Sequence, residues 1–252
     1  MKKIGAIIQA RSSSERLPGK VIKDLPNGSG VTVLSQVVKR LKKSKKLTII
    51  IIATTTRRDD DRIVNVAKRE KVPYYRGSVD DVLARYYFCA RKNKLDIIVR
   101  ITGDCPCIDP GIVDLNIKQH IEERADYTSN TIKRTFPHGL DVEVFNFDTL
   151  EKAYKNAKKN YEKEHVTPYI YQNPCIFKVA QVKASKKLFA PDLRVTLDTK
   201  EDYTLLSLVF DYLYQKNKDF CAKDIIDLFQ KKPWLKQINK RVIQKRIPGN
   251  SA

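Results

Sequence analysis

The chain has 252 residues, 42% of them hydrophobic, enough to bury the core of one large domain, and it reads as a single domain. No run approaches the ~18 apolar residues of a membrane span, and the lysine-led start turns polar too soon for a signal peptide, so a cytoplasmic protein with no membrane partner is expected. The formal net charge is +20, from 49 Lys and Arg against 29 Asp and Glu, but the excess falls mostly on predicted helix faces (residues 39–46, 152–163 and 231–245). No nucleic-acid recognition motif accompanies it, which favours small anionic substrates over nucleic acid.

In chain order, residues 3–9 read as a short buried strand running into Ala10-Arg11-Ser12-Ser13-Ser14-Glu15-Arg16-Leu17-Pro18-Gly19-Lys20. Hydroxyls, backbone N–H groups, two arginines and a lysine at a strand end suit the phosphates of a nucleoside triphosphate. The loop is neither a Walker A motif nor a Gly-x-Gly-x-x-Gly turn. Thr32 can cap a helix over residues 33–43, with Leu34, Val37, Val38 and Leu41 on one face. Residues 48–54 form a continuous β-branched run, as in a strand covered on both faces, ending in Thr54-Thr55-Thr56. A helix over 60–70, a strand over 73–76 and a helix opened by Asp80-Asp81 and reaching 92 follow; the acids suit that helix's dipole. Residues 96–101 read as a strand delivering Thr102-Gly103-Asp104, and Pro110 starts a helix to about 124.

Beyond that the alternation changes. Strands over 142–145 and 175–182 flank two lysine-rich helical stretches, which points to a mixed or antiparallel extension over about 127–190 that covers the pocket or pairs subunits. Residues 194–197 read as a strand ending at Asp198, with a helix over 200–214 and a helical tail from 222 to about 244, frayed beyond Pro248. The fold class expected is α/β, a three-layer sandwich with a mainly parallel mixed sheet, carrying a small β-containing extension. Five cysteines suit a reduced chain; Cys105-Pro106-Cys107 is not a zinc spacing, and Cys107 reads as a buried, inert thiol.

The stretch from Ile8 through Lys20 resembles the amino-terminal signature of cytidylyltransferases that activate acidic sugars, such as the 3-deoxy-manno-octulosonate and acylneuraminate enzymes. Arg76-Gly77-Ser78, Asp80 to Tyr86, Arg100 to Pro106, Gly139 to Glu143, Glu164 to Pro168 and Leu197 to Asp202 are similar to the spore coat polysaccharide biosynthesis protein F branch. The resemblance implies a Rossmann-like fold of the nucleotide-diphospho-sugar transferase type and transfer of CMP from CTP to a small acidic or sugar-like acceptor, with Mg2+ as cofactor and a homodimer as the assembly. It implies that Gln9, Ala10, Arg11, Ser14, Arg16, Lys20, Ala53, Thr54, Arg76, Ser78, Asp81 and Gly103 bind the nucleotide and that Asp104 and Asp198 hold the metal. Arg11 and Lys20 join those two aspartates as the catalytic set.

Each assignment has a plainer competitor. Asp104 can serve a turn, Asp81 and Asp198 can cap helices, Arg16 can tie its loop down, and Gly19 serves shape. On the acceptor side stand His138, Gly139, Asp141, Glu143, Glu164 and His165; alternation puts Asp141 and Glu143 on one strand face, a pattern that a solvated face also gives. His165 is the strongest functional histidine, able to hydrogen-bond an acceptor or take its proton, unless it is a helix-start residue packed on Tyr169; His120 reads as structural or exposed. The acceptor stretch Arg134-Thr135-Phe136-Pro137-His138 departs from the acidic-sugar enzymes, so nucleotide chemistry transfers further than acceptor identity. Two other classes compete: a metal-dependent glycosyltransferase, disfavoured because no clear Asp-x-Asp follows a strand, and a non-catalytic nucleic-acid binder carried by the basic surface.

Overall fold

The computed structural model describes residues 2–244. Seven strands, β1 (Ile4–Gln9), β2 (Ile49–Thr55), β3 (Tyr74–Gly77), β4 (Ile97–Thr102), β5 (Tyr127–Ser129), β6 (Glu143–Asn146) and β7 (Val179–Gln181), form one open sheet in the order β3-β2-β1-β4-β6-β5-β7. β1 to β4 are parallel, β6 runs antiparallel between β4 and β5, and β7 pairs parallel with β5. The strands of the expected extension therefore continue the main sheet. The helices are α1 (Val33–Leu41), α2 (Asp61–Arg69), α3 (Val82–Lys92), α4 (Pro110–Glu122), α5 (Phe147–Asn156), α6 (Asn160–His165), α7 (Pro168–Tyr171), α8 (Lys200–Leu213) and α9 (Ala222–Lys231).

Alternation along the central strands assigns the layers. Ile4, Ala6 and Ile8 of β1 and Ile97, Val99 and Ile101 of β4 pack with α1, α2, α4, α8 and α9. Ile7 and Ile98 point the other way, into a second core with α3, α5 and α7. The result is the three-layer sandwich expected. Thr32 caps α1 by accepting from the Ser35 N–H at 3.1 Å. The chain winds from β1 outward through β2 to β3, then returns to lay β4 on the opposite side of β1. The crevice beyond the carboxyl ends of β1 and β4 is thus the switch point at which such sheets bind ligands.

Three sequence expectations are corrected. Residues 194–197 make only one isolated bridge, Arg194 with His138; Val195, Thr196 and Leu197 are all buried, but the backbone is shared between His138 and Asp104 instead of joining a ladder. The strand over 175–182 shrinks to Val179–Gln181, because Ile176 and Phe177 donate to the Asn173 carbonyl in a turn. The tail is not one helix: α9 stops at Lys231 before Pro233, whose ring cannot continue it, Pro233–Gln237 is a short 3-10 stretch, and residues 238–244 are irregular. Pro248 lies outside the described residues. Among the described residues no helix is long and apolar enough to cross a membrane.

Candidate active site

The loop after β1 closes on itself and on β2. The Ser12 carbonyl accepts from the N–H groups of Ser14 and Gly19, each at 3.1 Å, and Gly19 takes φ +66°, which its missing Cβ allows. Asp60, 2% exposed, accepts from the Ser12 N–H at 2.7 Å and from the Thr55 hydroxyl, which pins the loop to the end of β2. Burial would raise the Asp60 pKa, but the hydrogen bonds from Thr55 and Ser12 bring it below the usual carboxylate range. The sequence reading missed Asp60, taking it only as a helix start.

At the end of β4, Gly103 donates to the Gln9 carbonyl at 2.9 Å. A Cβ there would lie 3.1 Å from the Gln9 oxygen and from the Ala10 side chain, so Gly103 lets β4 approach the loop after β1 and deliver Asp104. The Lys20 ammonium stands 2.5 Å from Asp104 Oδ2 and 2.7 Å from Asp198 Oδ1. Arg16 reaches the other Asp198 oxygen at 3.2 Å and Arg194 the same oxygen at 3.0 Å. Two aspartates predicted as metal ligands thus meet at one point, although neither strand-end position alone required it. Burial pulls the Lys20 pKa down, but the two carboxylates outweigh it and the net shift is upward. Burial pushes Asp198 up, and Lys20, Arg16 and Arg194 overcome it, bringing it to about 2.

Asp198 is not the cap of α8. Thr199 caps that helix with its side chain, and Asp202, fully buried, accepts from the backbone N–H groups of Asp198 and Thr199 at 2.9 and 3.2 Å. Arg194 Nε and Nη2 both grip Asp202 at 2.9 Å. This Arg194–Asp202 brace orients Asp198, and only a dense Arg-x-x-x-Asp-x-x-x-Asp spacing signalled it.

Two aspartate carboxylates beside this donor-rich loop fit Mg2+, which takes few protein oxygens and completes its shell with phosphate and water. Among the described residues no group of three or more His, Cys, Asp or Glu forms a cation site, in keeping with that division. Their convergence on one ammonium marks where positive charge is held.

The remaining nucleotide candidates lie along the ends of β1 to β3. Ala53 is buried, and its carbonyl accepts from the Ala10 N–H at 3.1 Å; Thr54 is buried beside it. Arg76 ties three segments together, donating to the Thr55 and Arg57 carbonyls at 2.9 and 2.6 Å and to Asp61 at 2.5 Å. Ser78 Oγ accepts from the Asp81 N–H at 3.0 Å, and Asp81 caps α3 through the Ala84 N–H at 2.7 Å. Arg11 is exposed and, among the described residues, makes no ion pair; it lies within electrostatic reach of Arg85 and His165. Ser14 is half-buried within the loop.

The acceptor candidates divide into two clusters. Asp141 precedes β6 and is gripped by Arg134 at 2.6 and 3.2 Å, with His138 Nε2 at 3.6 Å; His138 Nδ1 is 3.3 Å from Arg194, which joins this cluster to the Lys20 centre. Gly139, at φ +107°, passes so close to residue 195 that a Cβ would sit 2.6 Å from the Val195 carbonyl carbon. Glu143 instead opens β6 on the other face, buried, paired with Arg100 and accepting from Tyr127 Oη at 3.0 Å. His165 ends α6, so the competing place at a helix start does not hold, and it is within electrostatic reach of exposed Glu164 and of Arg100, Glu143 and Arg11. Burial lowers the pKa of both His138 and His165.

Immediately after His165, Val166 takes φ +72° and ψ −52°, and the Thr167 N–H donates to the His165 carbonyl at 2.9 Å. This is a γ-turn on a β-branched residue, a conformation costing on the order of 1–3 kcal/mol. His120 is structural: buried, it bonds Thr128 and Asn146 at 3.0 and 3.2 Å. Cys107 is buried with its pKa pushed up to about 12, an unreactive thiol.

Comparison with known proteins identifies the family and the fold. A cytidylyltransferase from Leptospira borgpetersenii superposes with a TM-score of 0.88 at 35% identity, over 97% of this chain and all of that one. The spore coat polysaccharide biosynthesis protein SpsF of Bacillus subtilis is 34% identical over 92% of this chain and 96% of its own, and an uncharacterized protein of Methanocaldococcus jannaschii is 42% identical over 97% of both. The CMP:2-keto-3-deoxy-manno-octonic acid synthetase, solved with CTP, shares the fold at a TM-score of 0.62 and 15% identity, over 84% of this chain and all of that one. The profile of the cytidylyltransferase family matches residues 5–247: the chain belongs to the cytidylyltransferases, in the branch of the spore coat polysaccharide protein.

Proposed function

We propose that this CTP-dependent nucleotidyltransferase transfers CMP to an acidic sugar or a related small acceptor, releasing pyrophosphate, in the synthesis of a surface polysaccharide or glycoconjugate. The observation that carries the reading is the meeting of Asp104 and Asp198 at Lys20, directly beside the loop after β1. Asp104 and Asp198 are the residues that would hold Mg2+, whose chemistry when bound is to neutralise phosphate charge and polarise the phosphorus.

The chain's own groups do the rest. An acceptor hydroxyl attacks the α-phosphorus; the new P–O bond forms as the bond to the bridging oxygen breaks and pyrophosphate leaves with that electron pair. Arg11, Arg16, Lys20 and the loop N–H groups hold the triphosphate, so that attacking and leaving oxygens lie in line. His165, kept neutral by burial, takes the hydroxyl proton. Glu143, anchored by Arg100 and Tyr127, and Asp141, anchored by Arg134, present fixed acceptors to the sugar hydroxyls.

The test is pyrophosphate release with magnesium, each of the four nucleoside triphosphates, and a panel of sugar acids and sugar phosphates. Release with CTP that depends on one acceptor names the substrate class. A protein that CTP stabilises no more than other nucleotides, and that releases nothing across the panel, sinks the reading.

A further inference from the structure

The cleft beside the Lys20 centre has a wall that the residues discussed so far do not account for. It encloses ≈ 1020 Å³, and Arg16, Glu201, Lys240 and Arg241 are the charged groups lining it. Arg16 belongs to both places, since it also touches Asp198 at 3.2 Å, so the cleft opens onto the centre. Lys240 and Arg241 are exposed, and among the described residues neither has an acidic partner. Three cations against one carboxylate make the cleft a receptor for an anion.

The segment that carries Lys240 and Arg241 is stitched to the centre. Asn239, 7% exposed, donates to Asp202 Oδ1 at 2.8 Å and to the Arg194 carbonyl at 3.2 Å. Arg16 donates to the Ile243 carbonyl at 3.3 Å, and Arg194 Nη1 to Gln244 Oε1 at 2.7 Å. The residues that orient Asp198 are therefore the ones that hold this segment in place.

We infer that Lys240 and Arg241 are polyphosphate-binding residues, which hold the β- and γ-phosphates of the bound triphosphate and then the departing pyrophosphate. The inference rests on the Lys20 centre being where the α-phosphorus reacts. The cleft adjoins that point through Arg16 and Thr199, and the two outer phosphates of a triphosphate need countercharge next to it. When the bond between the α-phosphorus and the bridging oxygen breaks, negative charge grows on the leaving group. Fixed cations there favour the transition state over the bound substrate, so these two residues raise the rate as well as the affinity.

The test uses the full chain and calorimetric titration with magnesium pyrophosphate and, separately, with CMP. In the double variant Lys240→Ala, Arg241→Ala, pyrophosphate should bind at least about tenfold more weakly, CMP binding should be unchanged, and the charge-preserving Lys240→Arg, Arg241→Lys variant should bind pyrophosphate within a few-fold of wild type. With no ion pair or side-chain hydrogen bond to lose among the described residues, the double variant should melt with the wild type. Equal pyrophosphate affinity in wild type and double variant overturns the inference, as does a wild type that binds no pyrophosphate. Failure of the transferase reading shows separately, in the wild type alone, as no stabilisation by CTP over the other triphosphates.

Discussion

The Lys20 ammonium lies 2.5 Å from a carboxylate oxygen of Asp104. In Asp104→Asn the side chain keeps its size and a hydrogen-bonding oxygen but loses the charge that Lys20, and a magnesium ion in its place, would answer. Pyrophosphate release should fall by about 10²–10³-fold while the melting temperature changes by only a few degrees. A steady-state assay beside a thermal melt decides it; a variant at the wild-type rate removes Asp104 from the mechanism.

Acid stability should report on Asp198. Its folded pKa of about 2 lies below the usual 3.8, so the ionised form is the one the fold stabilises. That contribution, roughly 2 kcal/mol, is complete above pH 4 and fades as pH falls toward 2. Lys20→Met removes the strongest of the partners that hold the pKa down. Acid unfolding, followed by circular dichroism, should then move to higher pH in the variant; coincident transitions would show that the ion pair carries no stability.

His165 gives a kinetic prediction of opposite proton sign. Its folded pKa is lowered by burial below 6.5, so it is neutral and able to accept a proton at neutral pH, and activity should decline only on an acidic limb lying below 6.5. His165→Gln should lower kcat/KM for the acceptor by about 10²-fold and flatten that limb, leaving CTP affinity unchanged. An unaltered pH profile in the variant would assign the proton elsewhere.

Gly139→Ala should be costly for a purely steric reason. The added methyl would meet the Val195 backbone at 2.6 Å in a left-handed conformation, and the bridge between His138 and Arg194 would have to open. A loss of about 2–4 kcal/mol in urea unfolding is expected. A cost under about 0.5 kcal/mol would mean that the 138–140 turn yields freely.

The sheet was legible because its central strands announce themselves: residues 48–54 are an unbroken β-branched run, and the phosphate loop follows the first strand directly. Asp104 and Asp198 were legible as strand-end acids within a resembling motif. What orients them was not. Arg194 looks in the sequence like the first residue of a strand and Asp202 like a residue of the next helix's first turn, and only the closed fold turns them into a buried brace. The acceptor side misled in a different way: the alternation of Asp141 and Glu143 suggested one shared face, yet the strand begins at Glu143, so Asp141 is free to turn toward Arg134. Residues 194–197 show the limit of an apolar run as a strand signal, since Val195, Thr196 and Leu197 are all buried without joining a ladder.

Lys20, Asp104 and Asp198 are drawn from points 84 and 178 positions apart in the chain. Contacts of such separation form only after long loops have closed, and that entropy is spent before the contacts repay it. The centre therefore cannot exist in any partly folded state that has assembled only the first four strands. A ligand that binds it selects the completed fold and draws the early and late segments into one cooperative unit. Hydrogen exchange at the loop after β1 and at α8 (Lys200–Leu213) should slow together when nucleotide binds, although most of the chain's length separates them.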